Sequence, residues 1–273
     1  MRRIELNRKA TLRVDFYDDD GALVDADGPV TVTGVTHAGV QSFTGAATYE
    51  SSGAYSFVVP PQNALRLITV TWSGVFGGHT EIITETVEIV SSFIVTIAEV
   101  RNNTYLSSTV KYPKATIERA RDQAEDLFFR YCHLAFTPRF GVENVSTGAS
   151  RLTKYNEYRR VLGTSGADVV TNVIVGANGQ LSNQSFAEST GFTNVYVEHG
   201  MAYAPSDIKR AMIEYIEYLL FELTSQIPDR GISITNDFGV VRLSVAGPNR
   251  ATGLPEVDET LNLYRRNMGA VVA

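Results

Sequence analysis

The chain has 273 residues, of which 44% are hydrophobic, so it exceeds the usual length of one domain and can bury two substantial cores. Its net charge of −6, divided as −5 over residues 1–104 and −1 over residues 105–273, argues against a nucleic-acid-binding protein. The single cysteine excludes an internal disulfide, and the sequence shows neither the apolar core of a signal peptide nor a membrane-spanning run, so we expect a soluble, unexported protein.

Short runs of alternating apolar and polar residues extend from Ala10 to about Ser91. Turn sequences separate these runs at Asp20-Gly21, Ser52-Gly53 and Gly77-Gly78. This pattern predicts six or seven antiparallel strands in an immunoglobulin-like β-sandwich over residues 1–100. Trp72, the only tryptophan, is expected in its core, and the lack of a cysteine pair restricts the prediction to the architecture.

Residues 101–112 are polar and uncapped, which predicts a linker before an α-helical (α+β) domain over residues 113–273. Pro113 precedes an amphipathic helix and Pro138 follows it, as is typical of helix boundaries. Its apolar stripe contains Ile117, Ala120, Ala124, Leu127, Phe128 and Tyr131. The residues expected to face water on the same helix are Glu118, Arg121, Asp122, Glu125 and Arg130.

The middle of the second half has weaker patterns. Residues 141–166 show no sustained period and are predicted to be loop with a short strand or two, whereas residues 168–175 and 193–198 are predicted strands of a small sheet. A second helix is predicted over Ser206–Leu223, after Pro205. Its apolar residues extend so far around the helix that we expect it to be covered on more than one side, by another subunit if not by its own domain.

Two further elements complete the chain. Ile232–Thr235 and Val240–Val245 predict a hairpin, which is marginal in isolation and must lie on its own domain or add to a neighbour. The last helix, Pro255 to about Asn267, has acidic residues in its first turn and Arg265 in its last, matching the helix dipole. Because it is short, this helix must dock on something.

A search for catalytic and metal-binding residues finds no strong candidate. Cys132 and His133 are adjacent, but neighbours on a helix point about 100° apart, so a buried structural cysteine beside a partly exposed histidine is the favoured interpretation. The four histidines lack ligand spacing, and the acidic stretch Asp18–Asp20 fails the EF-hand template, which leaves turn carboxylates. We therefore expect no catalytic residue, no cofactor and no metal.

Several arginines of the second half could form a basic surface, for which a solvated or intersubunit role is expected and phosphate contact is a minor alternative. The arginines in this set are Arg121, Arg139, Arg151, Arg159, Arg160, Arg230 and Arg242.

A series of segments in the second half occurs in a recognisable order: Ala120-Arg121, LAFTPRF at 134–140, VYVEHGM at 195–201 leading to APSDIKRAMIEYIEYLLFEL, IPDRG at 227–231, the hairpin, and TGLPEVDETLNLYRR at 252–266. In this order they resemble head-to-tail connector (adaptor) proteins of long-tailed, siphovirus-type bacteriophages, especially those infecting actinobacteria. The resemblance spans about residues 105–273, and the N-terminal domain is similar to an extra domain that some adaptors carry. The sequence departs from the family around Gly148–Leu162.

This resemblance implies a structural virion protein at the head–tail interface, assembled in the host cytoplasm and not an enzyme. Family members form a ring, typically of twelve copies, between the portal protein and the stopper or tail-terminator protein. Genomic double-stranded DNA passes through the lumen without sequence-specific binding. The last helix is then the expected portal-facing element, and residues 227–245 an intersubunit or tail-facing loop. The expected interface residues are Pro255, Val257, Leu261, Tyr264, Arg265, Ile232, Ile234, Val241 and Leu243.

Two alternatives stay open at this point. The chain could be an accessory phage tail or decoration protein whose β-sandwich binds carbohydrate, although no aromatic platform is evident. It could also be a hydrolase that uses an aspartate or Cys132, although the acidic residues fall in a turn and on helix faces.

Overall fold

A computed structural model describes residues 1–146, 151–165, 174–182, 192–222, 233–236, 239–242 and 251–266. The chain divides into two compact units, Met1–Ser92 and Phe93–Ala273. The division therefore comes before the boundary predicted at residue 100.

The first unit is β-rich and begins with a strand that the sequence pattern did not indicate. Its strands are β1 (Arg2–Glu5), β2 (Ala10–Asp15), β3 (Thr31–Thr36), β4 (Gln41–Ala46), β5 (Thr48–Ser51), β6 (Ala54–Val59), β7 (Arg66–Phe76) and β8 (His79–Val90). The strands form a five-stranded sheet in the order β1-β8-β7-β3-β4 and a three-stranded sheet in the order β2-β6-β5. The pair β1–β8 is parallel, with Arg2 opposite Val87, so the expectation of a wholly antiparallel unit is corrected.

Both sheets contribute to one hydrophobic core. Leu12 of β2, Tyr55 of β6 and Trp72 of β7 belong to the same buried cluster, and Trp72 has no exposed surface. The indole nitrogen of Trp72 donates a hydrogen bond to Glu85 at 3.2 Å, which satisfies the only polar atom of the ring. The predicted core position of Trp72 is confirmed.

The aspartate-rich segment of the first unit is a turn. Asp18 accepts hydrogen bonds from the backbone N–H groups of Asp20 and Ala22, at 3.1 and 2.8 Å, through one carboxylate oxygen. Because this side chain replaces a backbone acceptor inside the turn, it supports the interpretation of these residues as turn carboxylates.

The second unit combines helices with short strands. Its elements are α1 (Ile97–Arg101), a 3-10 turn (Thr104–Leu106), α2 (Lys114–Cys132), β9 (Arg139–Ser146), β10 (Tyr158–Thr164), β11 (Ile174–Val175), β12 (Leu181–Ser182), β13 (Phe192–His199), α3 (Ser206–Glu222), β14 (Ser233–Asn236), β15 (Gly239–Arg242) and α4 (Pro255–Tyr264). None of the helices within the described ranges is long and apolar enough to cross a membrane.

Residues 93–112 belong to the second unit and are not an extended linker. Thr96 and Glu99 form a capping box at the start of α1, in which each side chain accepts a hydrogen bond from the other residue's backbone. Leu106 and Tyr112, both within the predicted linker, are buried in the core that α2 and α3 share. Because most residues of 101–112 are polar, the sequence pattern did not indicate that Leu106 and Tyr112 are buried.

Three of the five charged residues of α2 that were expected to face water are buried, which corrects the expectation for them, whereas Arg130 is exposed and Glu118 is partly exposed. Arg121, Asp122 and Glu125 are all less than 10% exposed. Glu125 accepts a hydrogen bond from the backbone N–H of Ile94 at 2.8 Å and lies 3.6 Å from the guanidinium of Arg139. The start of the unit and β9 cover these residues, so their charges are paired inside the protein.

The second unit also contains a three-stranded sheet in the order β10-β13-β9, which has a hydrophobic cluster of its own. Strand β9 pairs with β13 along its whole length, from Arg139 opposite His199 to Ser146 opposite Phe192. The predicted loop over 141–166 includes residues 141–146 of this strand. Their buried positions alternate with more exposed ones, but two of the three buried positions hold Gly141 and Glu143, so the apolar alternation of a strand is absent from the sequence. Residues 168–173 of the predicted strand lie outside the described residues.

Candidate partner-binding surface

The apolar stripe of α4 docks inside its own unit. Val257 and Leu261 have no exposed surface and join the core formed by α2 and α3. Two of the expected interface residues therefore stabilise the unit, and their side chains present nothing to a partner. The same docking covers α3 on a second side, so neighbouring helices account for much of the breadth of its apolar face.

A buried carboxylate fixes the approach to α4. Asp258 accepts hydrogen bonds from the backbone N–H and the hydroxyl of Thr252, both at 2.9 Å, and from the N–H of Gly253 at 3.2 Å. Pro255 begins the helix, where the missing N–H costs nothing, and it is exposed. The preceding loop and the first turn of α4 are thereby held as one piece.

The end of α4 is tied to the end of α2. The hydroxyl of Tyr131 donates to Asn262 at 2.6 Å, and the backbone N–H of Arg266 donates to the carbonyl of Cys132 at 2.9 Å. The guanidinium of Arg265 lies 4.9 Å from the centre of the Tyr131 ring, in a cation–π contact. Arg265 and Arg266 are both exposed, so they are accessible to a partner.

The outer face of α4 contains an apolar residue that the sequence interpretation missed. Leu263 is 77% exposed, whereas Tyr264 is half-buried and its hydroxyl lies 3.0 Å from a carboxylate oxygen of Asp207 on α3. Val257 and Leu261 are four residues apart and lie on one face of the helix, whereas Leu263, two residues after Leu261, lies on the opposite face. This spacing is the sequence signal that could have identified Leu263 as exposed. Leu263, rather than Val257 or Leu261, is the apolar side chain that α4 presents.

The predicted hairpin is present as β14 paired with β15. Ile234 lies directly opposite Val241, as two of the expected interface residues. Ile232 and Leu243, the other two, lie outside the described residues. Within the described part of the chain, each strand of this pair has the other as its only neighbour.

A β-bulge brings two arginines to one carboxylate. The register of β10 against β13 shifts between Tyr158 and Arg160, so the consecutive residues Arg159 and Arg160 both reach Glu198, at 3.0 and 2.6 Å. Their side chains are 38% and 66% exposed, whereas that of Glu198 is 9% exposed. The buried carboxylate orients two guanidiniums at the surface and neutralises only one of them.

The basic set expected from the sequence is divided by the fold. Arg121 and Arg139 are buried in ion pairs, which corrects their placement on a surface. Arg159 and Arg160 are exposed, and Arg151 is exposed elsewhere, where it donates to the carbonyl of Asn178. Arg230 and the side chain of Arg242 lie outside what is described.

The strands under this surface are fixed by a buried polar cluster. Glu143 accepts hydrogen bonds from the hydroxyl of Tyr158 at 2.5 Å and from the backbone N–H groups of Thr153 and Lys154 at 2.6 and 3.1 Å. Next to it the Tyr155 ring stacks on His199 with 4.0 Å between centroids. Burial, with the nearby charges of Arg139 and Lys154, lowers the pKa of His199 to about 3.

The adjacent pair Cys132 and His133 is not arranged for nucleophilic catalysis. Cys132 is fully buried, its sulfur lies 3.5 Å from the Leu261 carbonyl, and burial raises the pKa of its thiol to about 12. His133 adopts a left-handed conformation that ends α2. In the described ranges no cluster of His, Cys, Asp and Glu side chains could hold a metal ion.

No family model matches the sequence, and no curated protein matches it either.

Proposed function

We propose that this protein is a head-to-tail connector of a long-tailed bacteriophage. In this proposal identical copies form a ring of about twelve between the portal protein and the stopper or tail-terminator protein in the virion neck. Double-stranded genomic DNA passes through the ring without sequence-specific contacts. The protein has no enzymatic role.

The observation that carries the proposal is the hairpin β14–β15. Its strands pair only with each other among the described residues, and a two-stranded ribbon gains stability when a further strand is added. The hairpin also stands at the position that the connector resemblance assigns to an intersubunit or tail-facing loop. Strand addition between successive copies would make a head-to-tail contact that can close into a ring.

The exposed surface of α4 supports a second contact. Leu263 and the neighbouring Arg265 face outward on the element that the resemblance assigns to the portal. An exposed leucine beside an arginine is typical of the apolar centre and charged rim of a protein interface. The portal contact would then use the outer face of α4, because its inner face is already occupied.

The strand order of the first unit supports the immunoglobulin-like assignment. In that architecture two sheets pack face to face. The sheet that contains the last strand of the domain can carry one additional N-terminal strand at its edge, parallel to that last strand. The orders β2-β6-β5 and β1-β8-β7-β3-β4, with β1 parallel to β8, follow this scheme. We infer that the unit is a decoration on the ring.

Light scattering on the purified protein, alone and mixed with the portal protein of the same phage, tests the proposal. A ring-sized species in either condition is expected, and deletion of 233–242 should abolish it while leaving the melting of the first unit unchanged. A strict monomer in both conditions would reject the connector.

One observation favours the accessory carbohydrate-binding alternative. Tyr17 and Tyr49 of the first unit are 59% and 54% exposed, and exposed aromatic rings suit stacking on sugars. A glycan array with residues 1–92 tests it, and binding that Tyr49→Ala removes would support this function over the connector.

A further inference from the structure

An exposed basic surface lies at the C-terminal end of α2. It consists of five arginines, Arg130, Arg159, Arg160, Arg265 and Arg266. Arg266 lies 3.5 Å from Glu157, which is two residues from Arg159, so the two parts of the surface are joined by an ion pair. The Arg265 contact with Tyr131 joins the surface to Arg130, the residue before Tyr131.

This surface is unusual for the protein that carries it. The chain as a whole has a net charge of −6, yet here five cations are accompanied by three acidic residues, Asp126, Glu157 and the nearly buried Glu198. The bulge in β10 places Arg160 beside Arg159 when an ordinary strand would send them to opposite faces. Arginine is also the cation that binds carboxylates in a two-pronged geometry.

A segment of opposite charge is present in the first unit. Between Val14 and Leu65 the sequence contains seven acidic residues and no lysine or arginine. Six of the seven are aspartates between Asp15 and Asp27, all of them exposed. The hydrogen bonds of Asp18 within its turn hold this acidic segment in a fixed shape.

We propose that the five-arginine surface binds the acidic segment Asp15–Asp27 of a second copy of this chain. Each copy then offers one basic and one acidic surface, which gives a head-to-tail contact between different patches. Such contacts add up around a ring and are steered by the opposite charges. The inference rests on the proposed connector ring and assigns the chemistry of one of its contacts.

Two reciprocal charge reversals test the contact in the full chain. Variant R160E/R265E makes the basic surface acidic while Arg159 still neutralises Glu198. Variant D15K/D19K/D20K/D27K makes the acidic segment basic, because four lysines then outnumber the two remaining aspartates, Asp18 and Asp25. Each variant alone should associate at least about tenfold more weakly than the unaltered protein in sedimentation velocity at about 50 mM NaCl. An equimolar mixture of the two should regain association, because both contacts between unlike copies then join opposite charges.

A matched control separates this effect from net charge. R8E/K9E changes the charge as much as R160E/R265E does, at exposed positions of the first unit, and should leave association unchanged. Thermal melts of all variants identify any that fail to fold. If the single variants fold but the mixture stays dissociated, or if the unaltered protein does not associate at about 50 mM NaCl, the proposal is overturned.

Two further outcomes distinguish this contact from the connector proposal. A ring on the portal that is insensitive to salt and to both variants overturns the contact and leaves the connector standing. Salt-dependent association that never yields a ring supports the contact and rejects the connector. Binding of double-stranded DNA that R160E/R265E abolishes, without self-association, would instead assign the surface to nucleic acid.

Discussion

The guanidinium carbon of Arg121 lies 3.2 Å from the centre of the Phe93 ring, and the same side chain donates to Asp122 at 3.0 Å. Phe93 is the first residue of the second unit. This pair therefore joins the start of the unit to the middle of α2, on a helix face whose sequence would otherwise be expected in water.

Replacing Arg121 with Ala should lower the free energy of unfolding by about 3 kcal/mol, because a nearly buried carboxylate loses its ion pair. Urea denaturation of the second unit measures it. Arg119→Ala, which removes an exposed arginine two residues earlier, should change stability by less than about 0.5 kcal/mol. Equal losses in the two variants would contradict a structural role for Arg121.

The second unit should lose stability in acid because of His199. The folded pKa of about 3 lies below the ordinary value of 6.5, so the unfolded chain binds a proton that the folded one rejects between these values. Stability should fall by about 1.4 kcal/mol per pH unit from this group as the pH drops from 6.5 towards 3. The free energy of unfolding, measured by urea denaturation between pH 6.5 and 3, should depend less on pH in His199→Phe. His79→Gln, a change at an exposed position, should leave the pH dependence as it is.

Gly141 should not tolerate a side chain. A Cβ there would lie 2.7 Å from the Tyr155 ring and 2.9 Å from the His199 ring, closer than atoms can approach. Gly141→Ala should therefore cost about 2 kcal/mol in chemical denaturation. At Gly163 the nearest atom to an added Cβ would be 3.7 Å away, so Gly163→Ala should be close to neutral. A loss of stability in Gly163→Ala that equals or exceeds the loss in Gly141→Ala would contradict this prediction.

The position of the boundary between the units can be tested by truncation. Residues 93–273 should fold, whereas residues 101–273 should be less stable by about 3 kcal/mol or more, because Ile94, Val95 and Val100 leave the core. Thermal unfolding of the two fragments measures the difference. Equal stability would return the boundary to residue 100.

The Cys132 thiol should be inert in the folded protein. With a pKa of about 12, roughly one thiol in 10⁵ is deprotonated at pH 7, and burial blocks reagents as well. Iodoacetamide should label Cys132 only after denaturation, and Cys132→Ala should leave assembly intact. Rapid labelling of the native protein would revive the hydrolase alternative.

Local sequence signals located α2, α3 and α4 but not the five-residue α1. Pro113 and Pro255 stand where the structure begins α2 and α4, and the apolar spacing of residues 206–222 marks α3. These signals succeed because a proline or an amphipathic period acts within a few residues of the chain.

Features that depend on distant partners were not predictable in the same way. The burial of Arg121 and Glu125 depends on residues 93–94 and on Arg139, and helical spacing carries no information about them. The short length of α4 implied that Val257 and Leu261 are buried against some surface. It did not indicate that this surface is formed by α2 and α3 of the same unit. The bulge that pairs Arg159 and Arg160 with Glu198 requires the register of β10 on β13.

The parallel pairing of β1 with β8 has a mechanical consequence. A force that pulls Met1 away from Ser92 would slide the two strands along each other, so the hydrogen bonds over Arg2–Glu5 and Val87–Val90 would bear the load together. A hairpin pulled from its open end instead loses its bonds one at a time. The first unit is thus built to resist extension between its ends.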